Sequence, residues 1–195
     1  MGINKNIRAY DKKADIYDNT FDGRFTAKFK DLLVANMVIK DGDSILDVGC
    51  GNGTLLSKIA EEIHGFGVDI SPKMIENASA CYPAFEFAVS GCEKIPCDDH
   101  SMDIITVCAA YHHFPDVGAF AAQAKRLLKQ KGSLYIAEIY LPPIIRHAVN
   151  IFLPLSKDGD VKFYSREEIV NAFPGFSLVK AIRQRYIQII QLQSE

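Results

Sequence analysis

Residues Ile45–Leu56 read ILDVGCGNGTLL. An apolar run holding one acid, Asp47, ends in glycines at alternate positions, Gly49, Gly51 and Gly53. Glycine is what a backbone uses where φ must be positive or where another group must come close. Two readings of the turn compete. Either it only reverses the chain, or its backbone approaches a nucleotide at the mouth of a helix. The apolar run before it reads as a buried strand. The residues after it, GTLLSKIAEEI, carry apolar positions at 55, 56, 59 and 63, a spacing that predicts a helix.

The pattern repeats along the chain. HGFGVDI reads as a second strand, and SPKMIENASA as a helix with Ser71 as N-cap and Pro72 in its first turn. FEFAV and MDIITVCAA read as further strands, the latter too apolar to have a wet face. Apolar residues at 117, 120, 121, 124, 127 and 128 describe a helix, and GSLYIAEIY is a fifth strand. Strands that alternate with helices and are apolar throughout predict a parallel sheet covered on both faces, an α/β fold. Ahead of it, RFTAKFKDLLVANMVI sets Phe25, Phe29, Leu32, Leu33 and Met37 on one helical face. After it, SREEIVNAF is a short helix with a Ser165–Glu168 capping box. FSLVKAI and YIQIIQL follow so closely that they must pair antiparallel.

The chain of 195 residues, 48% hydrophobic, fits one domain spanning 1–195. A net charge of −2 with scattered Lys and Arg argues against a nucleic-acid partner, and no apolar stretch is long enough for a membrane span. MGINKNIRAY lacks the apolar run of a secretion signal, and the five cysteines include no Cys-x-x-Cys pair, so free thiols in a reducing cytoplasm are expected. Cys92, Cys97, His112 and His113 match no familiar zinc spacing, so no metal is expected.

The dinucleotide fingerprint needs glycine at 54, where this chain has Thr54, and no Gly-Lys-Ser/Thr follows to make a Walker loop. Asp47 is a poor neighbour for a pyrophosphate but suits an ammonium or a sulfonium. Asp69, ending the second strand, is placed to accept bonds from ribose hydroxyls.

These stretches resemble the class I S-adenosylmethionine-dependent methyltransferases. ILDVGCGNGTLL is similar to their first motif and GVDISPKMIENA to their second. CEKIPCDDHSMDIITVCAAYHHF and AKRLLKQKGSLYIAE resemble the later motifs of the branch that includes ubiquinone and menaquinone biosynthesis enzymes, and YDKKADIYD resembles its N-terminal segment. The resemblance implies a Rossmann-like, mostly parallel seven-stranded sheet with an antiparallel last strand. It implies S-adenosylmethionine as cofactor and a small-molecule methyl acceptor. Gly49, Cys50 and Gly51 are expected along the methionine part, with Asp47 near its amino group. Asp69 is expected at the ribose, Ile70 and Met74 flanking adenine, Cys92 and Glu93 at its edge, and Cys108 against the cofactor. Relatives often carry an acid where this chain has Gly91, so the contact to the adenine amino group is open.

His112 and His113 follow the fourth strand, at the carboxyl end where ligands of such folds bind; they are the candidates for a base or positioner. Tyr10 and Tyr17 are expected to close over the cofactor. Residues 1–40 read as a helical cap, and 10–25 and 141–164 as lid segments, the latter with Pro142, Pro143 and Pro154 among apolar residues. Two other readings stand beside methyl transfer: a non-catalytic S-adenosylmethionine-binding protein, and a nicotinamide-dependent oxidoreductase.

Overall fold

The computed structural model describes residues 7, 10–153 and 160–195. Parts of the expected cap (1–6, 8, 9) and of the expected lid (154–159) therefore lie outside the described residues. The strands are β1 (Ser44–Val48), β2 (His64–Asp69), β3 (Glu86–Val89), β4 (Met102–Cys108), β5 (Leu128–Ile139), β6 (Phe176–Gln184) and β7 (Ile187–Ser194). The α-helices are α1 (Phe21–Val34), α2 (Pro72–Cys81), α3 (Val117–Leu127), α4 (Pro143–Phe152) and α5 (Arg166–Asn171). They build one seven-stranded sheet in the order β3-β2-β1-β4-β5-β7-β6. β1 to β5 pair in parallel, and β7 runs antiparallel to both β5 and β6, as expected for the last strand. The order reverses between β1 and β4, and the glycine turn leaves β1 at that point. In an open parallel sheet this is where a crevice forms at the carboxyl ends.

Successive residues of β1 serve opposite faces. Leu46 and Val48 join a core with Phe120, Ala124, Ile169 and Phe173 from α3, α5 and the turn after α5. Ile45 joins a second core with Phe29 and Leu33 of α1. α1 is shorter than the periodicity predicts and ends at Val34, yet Met37 and Ile39 still pack on the same core from beyond the helix. The caps form as read. Ser71 Oγ accepts from Met74 N at 3.2 Å, and Ser165 and Glu168 close a reciprocal capping box.

The stretch after the glycine turn departs from the prediction. In place of a helix over 55–63 there is one 3-10 turn, Leu56–Lys58. Leu55 and Leu56 are buried as the periodicity demands. The following residues are drawn into extended backbone by the turn ahead of β1: Gly42 N donates to Glu62 O at 2.7 Å, and His64 N to Asp43 O at 2.9 Å. Those bonds replace the helical ones.

Phe29 is fully buried between α1 and the sheet. Phe29→Ala should lower unfolding free energy by about 3–5 kcal/mol, read from urea denaturation, because it removes a large side chain the surroundings cannot refill.

Candidate functional site

Gly49, Gly51 and Gly53 have φ of 77°, 53° and 77°, a run of left-handed backbone that other residues adopt only at a cost. A Cβ on Gly49 would stand 2.6 Å from Ala110 Cβ, so the turn also needs glycine to lie against the end of β4. The amides of Gly49 and Cys50 donate to Val68 O at 2.8 and 3.0 Å. Asp69 completes the clamp. One carboxylate oxygen accepts from Gly51 N and the other from Ser71 N, each at 2.9 Å, which joins the turn to the entry of α2. Burial raises the Asp69 carboxyl, and those amide bonds partly offset the rise.

Asp47 is buried at the end of β1 and accepts from Thr106 Oγ1 at 2.7 Å. Burial pushes its carboxyl up to about 6, against the pull of Thr106 and of Lys30. Lys30 comes from α1 and donates to Thr54 Oγ1.

The turn, Asp47 and Asp69 open into one cavity of about 470 Å³. Every residue expected to bind cofactor lines it: Tyr10, Tyr17, Asp47, Gly49, Cys50, Gly51, Asp69, Ile70, Met74, Cys92, Glu93 and Cys108. The thiols of Cys50, Cys92 and Cys108 are all pushed up, first of all by burial. Beside Gly91 the Glu93 carboxylate folds back into the space that a side chain at 91 would take.

The N-terminal segment is strapped across the turn. Asn52, at its tip, donates to Ala14 O at 3.0 Å and to Asp18 at 3.1 Å. Ser71 Oγ donates to Asp11 at 2.5 Å. A Cβ on Gly23 would run into Tyr17 O, so α1 begins where only glycine lets the strap lie down. The rings of Tyr10 and Tyr17 stand 5.9 Å apart, and the Tyr10 hydroxyl is 2.9 Å from His113 Nε2.

The two histidines separate in space. His113 lines the cavity; His112 does not. His112 is buried, with Nδ1 2.9 Å from both oxygens of the fully buried Glu138 and its backbone amide donating to Glu138 at 3.1 Å. Burial disfavours the imidazolium, but the Glu138 charge and hydrogen bond outweigh it, so His112 is held above the ordinary histidine range. The amides of Val161 and Lys162 donate to His112 O, and the Phe163 ring lies 5.2 Å from its ring. The same segment carries Asp160, 3.1 Å from His113 Nδ1 and 3.7 Å from His112 Nε2. Tyr111 turns away into the aromatic core beside Phe114, Phe120 and Tyr164.

Residues 46–136 match the methyltransferase domain family. That stretch, from β1 into β5, is what the chain shares with methyltransferases. The chain is 31% identical to a demethylmenaquinone methyltransferase of Thermotoga maritima over 70% of this chain and 62% of that protein. It is 31% identical to a 27-O-demethylrifamycin SV methyltransferase of Amycolatopsis mediterranei over 60% of this chain and 46% of that one. The chain thus spans less than two thirds of the length of either relative. The crystal structure of YcgJ from Bacillus subtilis superposes with a TM-score of 0.73, covering 87% of this chain and 99% of that one at 19% identity, which gives the fold.

Several residues in and around this cavity escape a linear reading. Lys30 sits on a helix face that otherwise looks like solvated charge. Asn52 reads as turn filler, and Glu138 as one acid inside a strand. Asp160 lies far along the chain from the histidines. Only the fold brings these groups together; the one local hint is an acid, Glu138, in the apolar second half of β5.

Asp47 gives the domain a pH signature. Its folded carboxyl sits near 6, against an ordinary 3.8. Between those values the folded protein keeps a proton that the unfolded chain has released, so this group makes stability fall as pH rises through the window. Asp47→Asn should flatten that part of the profile when the two proteins are unfolded in urea from about pH 4 to about pH 7. Parallel profiles would show that Asp47 titrates normally.

Proposed function

We propose that this chain transfers a methyl group from S-adenosylmethionine to a small organic acceptor. The observation that carries the reading is the single cavity in which the glycine turn, Asp47 and Asp69 share a wall. Its volume of about 470 Å³ suits one nucleoside-sized ligand with room beside it. S-adenosylmethionine, when bound, supplies an electrophilic methyl on a sulfonium. The chain's own residues then bind, align and exclude water.

Asp47 faces the ammonium of the methionine part, and ionises when that charge is present. Gly49, Cys50 and Gly51 give a backbone surface without side-chain obstruction. Asp69 takes the ribose hydroxyls, its position held by the same amides that hold the turn. Ile70 and Met74 sandwich adenine. Glu93 stands in for the acid missing at 91, since its carboxylate already fills that space. Tyr10 and Tyr17 form the roof, from a lid segment that the strap bonds tie down. The acceptor sits at the His113 end, with His112 as a positioner behind it; residues 141–153 and 160–164 close that end.

Two relatives are named for a demethylmenaquinone and a demethylrifamycin as acceptors, which supports a small organic acceptor here. The free cysteines support a reducing cytoplasm. Among the described residues no helix is long and apolar enough to cross a membrane.

Calorimetry should show one S-adenosylhomocysteine bound per chain. Asp69→Ala should weaken it at least tenfold, since charge-assisted hydrogen bonds contribute about 1.5–3 kcal/mol each. Glu93→Ala should erase the preference for this ligand over its inosine analogue. No saturable binding would overturn the reading, and binding of a nicotinamide cofactor instead would favour an oxidoreductase. Binding without product from any acceptor would reduce the chain to a binding protein. With the acceptor identified, His113→Ala should lower turnover at least about tenfold, while affinity for S-adenosylhomocysteine stays within about twofold.

A further inference from the structure

Beside the cavity, and reaching it through His113, lies a cluster of metal-ligating side chains outside the cofactor-binding set. One ligand atom from each of His112, His113 and Asp160 can be chosen so that all lie within 4.8 Å of one another. Each ring is already oriented by its other nitrogen. Glu138 holds His112 Nδ1 at 2.9 Å, and the Tyr10 hydroxyl meets His113 Nε2 at 2.9 Å. Each histidine therefore turns its remaining nitrogen, Nε2 of His112 and Nδ1 of His113, toward the same Asp160 oxygen. The site is shielded: side-chain exposure is 8% for His112, 15% for His113 and 18% for Asp160.

Ligand atoms bound about 2.1 Å from one metal ion stand roughly 3.0–3.4 Å apart in octahedral or tetrahedral shells. The Asp160 oxygen is 3.1 Å from His113 Nδ1 and 3.7 Å from His112 Nε2. Small side-chain shifts bring all three atoms onto one ion. A buried carboxylate behind a histidine, as Glu138 stands behind His112, is the usual support of a metal-binding imidazole.

We propose that His112, His113 and Asp160 bind a divalent transition-metal ion, with Glu138 and Tyr10 orienting the rings, and that its open positions take an oxygen of the acceptor. Two imidazoles and one carboxylate leave coordination positions open and favour a transition ion over magnesium. Because His113 lines the cavity, the ion would border its acceptor end. A hydroxyl coordinated there loses its proton to solvent more readily. Its oxygen then forms the new bond to the methyl carbon as the carbon–sulfur bond breaks, and sulfur leaves with the electron pair as a neutral thioether. The ion thus does what a histidine base was expected to do. The acceptor half of this proposal rests on the methyl-transfer reading; the metal site does not.

The test is titration of chelator-treated protein with cobalt(II), followed by visible absorption and calorimetry. One ion per chain is expected. Asp160→Asn should weaken it at least about a hundredfold, and Glu138→Gln or Tyr10→Phe about ten- to a hundredfold. Asp160→Asn should keep its affinity for S-adenosylhomocysteine within twofold, which shows that the variant is folded. Catechol, as a chelating hydroxyl probe, should shift the bands of the bound cobalt. No saturable uptake, equal uptake by wild type and Asp160→Asn, or a near-ultraviolet thiolate band showing capture by cysteines would overturn the metal site. Bands that catechol leaves unmoved would remove the acceptor half. Cobalt uptake in a protein that fails to bind S-adenosylhomocysteine would sink the methyl-transfer reading and leave the metal site standing.

Discussion

The carboxylate of Asp69 holds this site together. Its two oxygens bond the amide of Gly51 in the glycine turn and the amide of Ser71 at the entry of α2. The turn runs through left-handed backbone that glycine tolerates but does not by itself select. A loop of such residues has many conformations, and two charge-assisted bonds accepted by the Asp69 carboxylate choose one. The cavity wall, the direction of α2 and the seating of the N-terminal strap on Ser71 and Asn52 all follow from that choice.

The strap gives the fold a second kind of order. Asp11, Ala14, Asp15 and Asp18 bond residues of the turn and of α2, and Tyr10 reaches across to His113. One short segment therefore touches both ends of the cavity. On the functional reading, cofactor and acceptor meet under a single piece of backbone, so ordering it at one end restricts it at the other.

The sheet was legible because strand apolarity and helix periodicity are local and strong. The parallel core, the antiparallel pair at the C-terminus and the caps at Ser71 and Ser165 all follow from such signals. The stretch after the turn misled for a physical reason. Leu55, Leu56, Ile59 and Ile63 have helical spacing, but hydrogen bonds from Gly42 and Asp43 draw residues 62–64 into extended backbone. Such competition between segments is invisible in a local period. The candidate cofactor residues were legible because they sit in contiguous motifs next to strand ends. Lys30, Glu138 and Asp160 were not, since each acts across a long separation in sequence. The pairing of His112 with Glu138 turned one of two adjacent, chemically identical residues away from the cavity, and no local feature distinguishes the two.

The cavity wall contains Cys50, Cys92 and Cys108, whose thiols burial holds in the protonated form. The thiolate, not the thiol, is the nucleophile. On the methyl-transfer reading the pocket shelters an alkylating agent, and an ionised cysteine beside it would be alkylated in place of the acceptor. The apolar packing that raises these thiols would then give the protein chemical immunity to its own reagent, using residues that in a wetter site would be its first casualties.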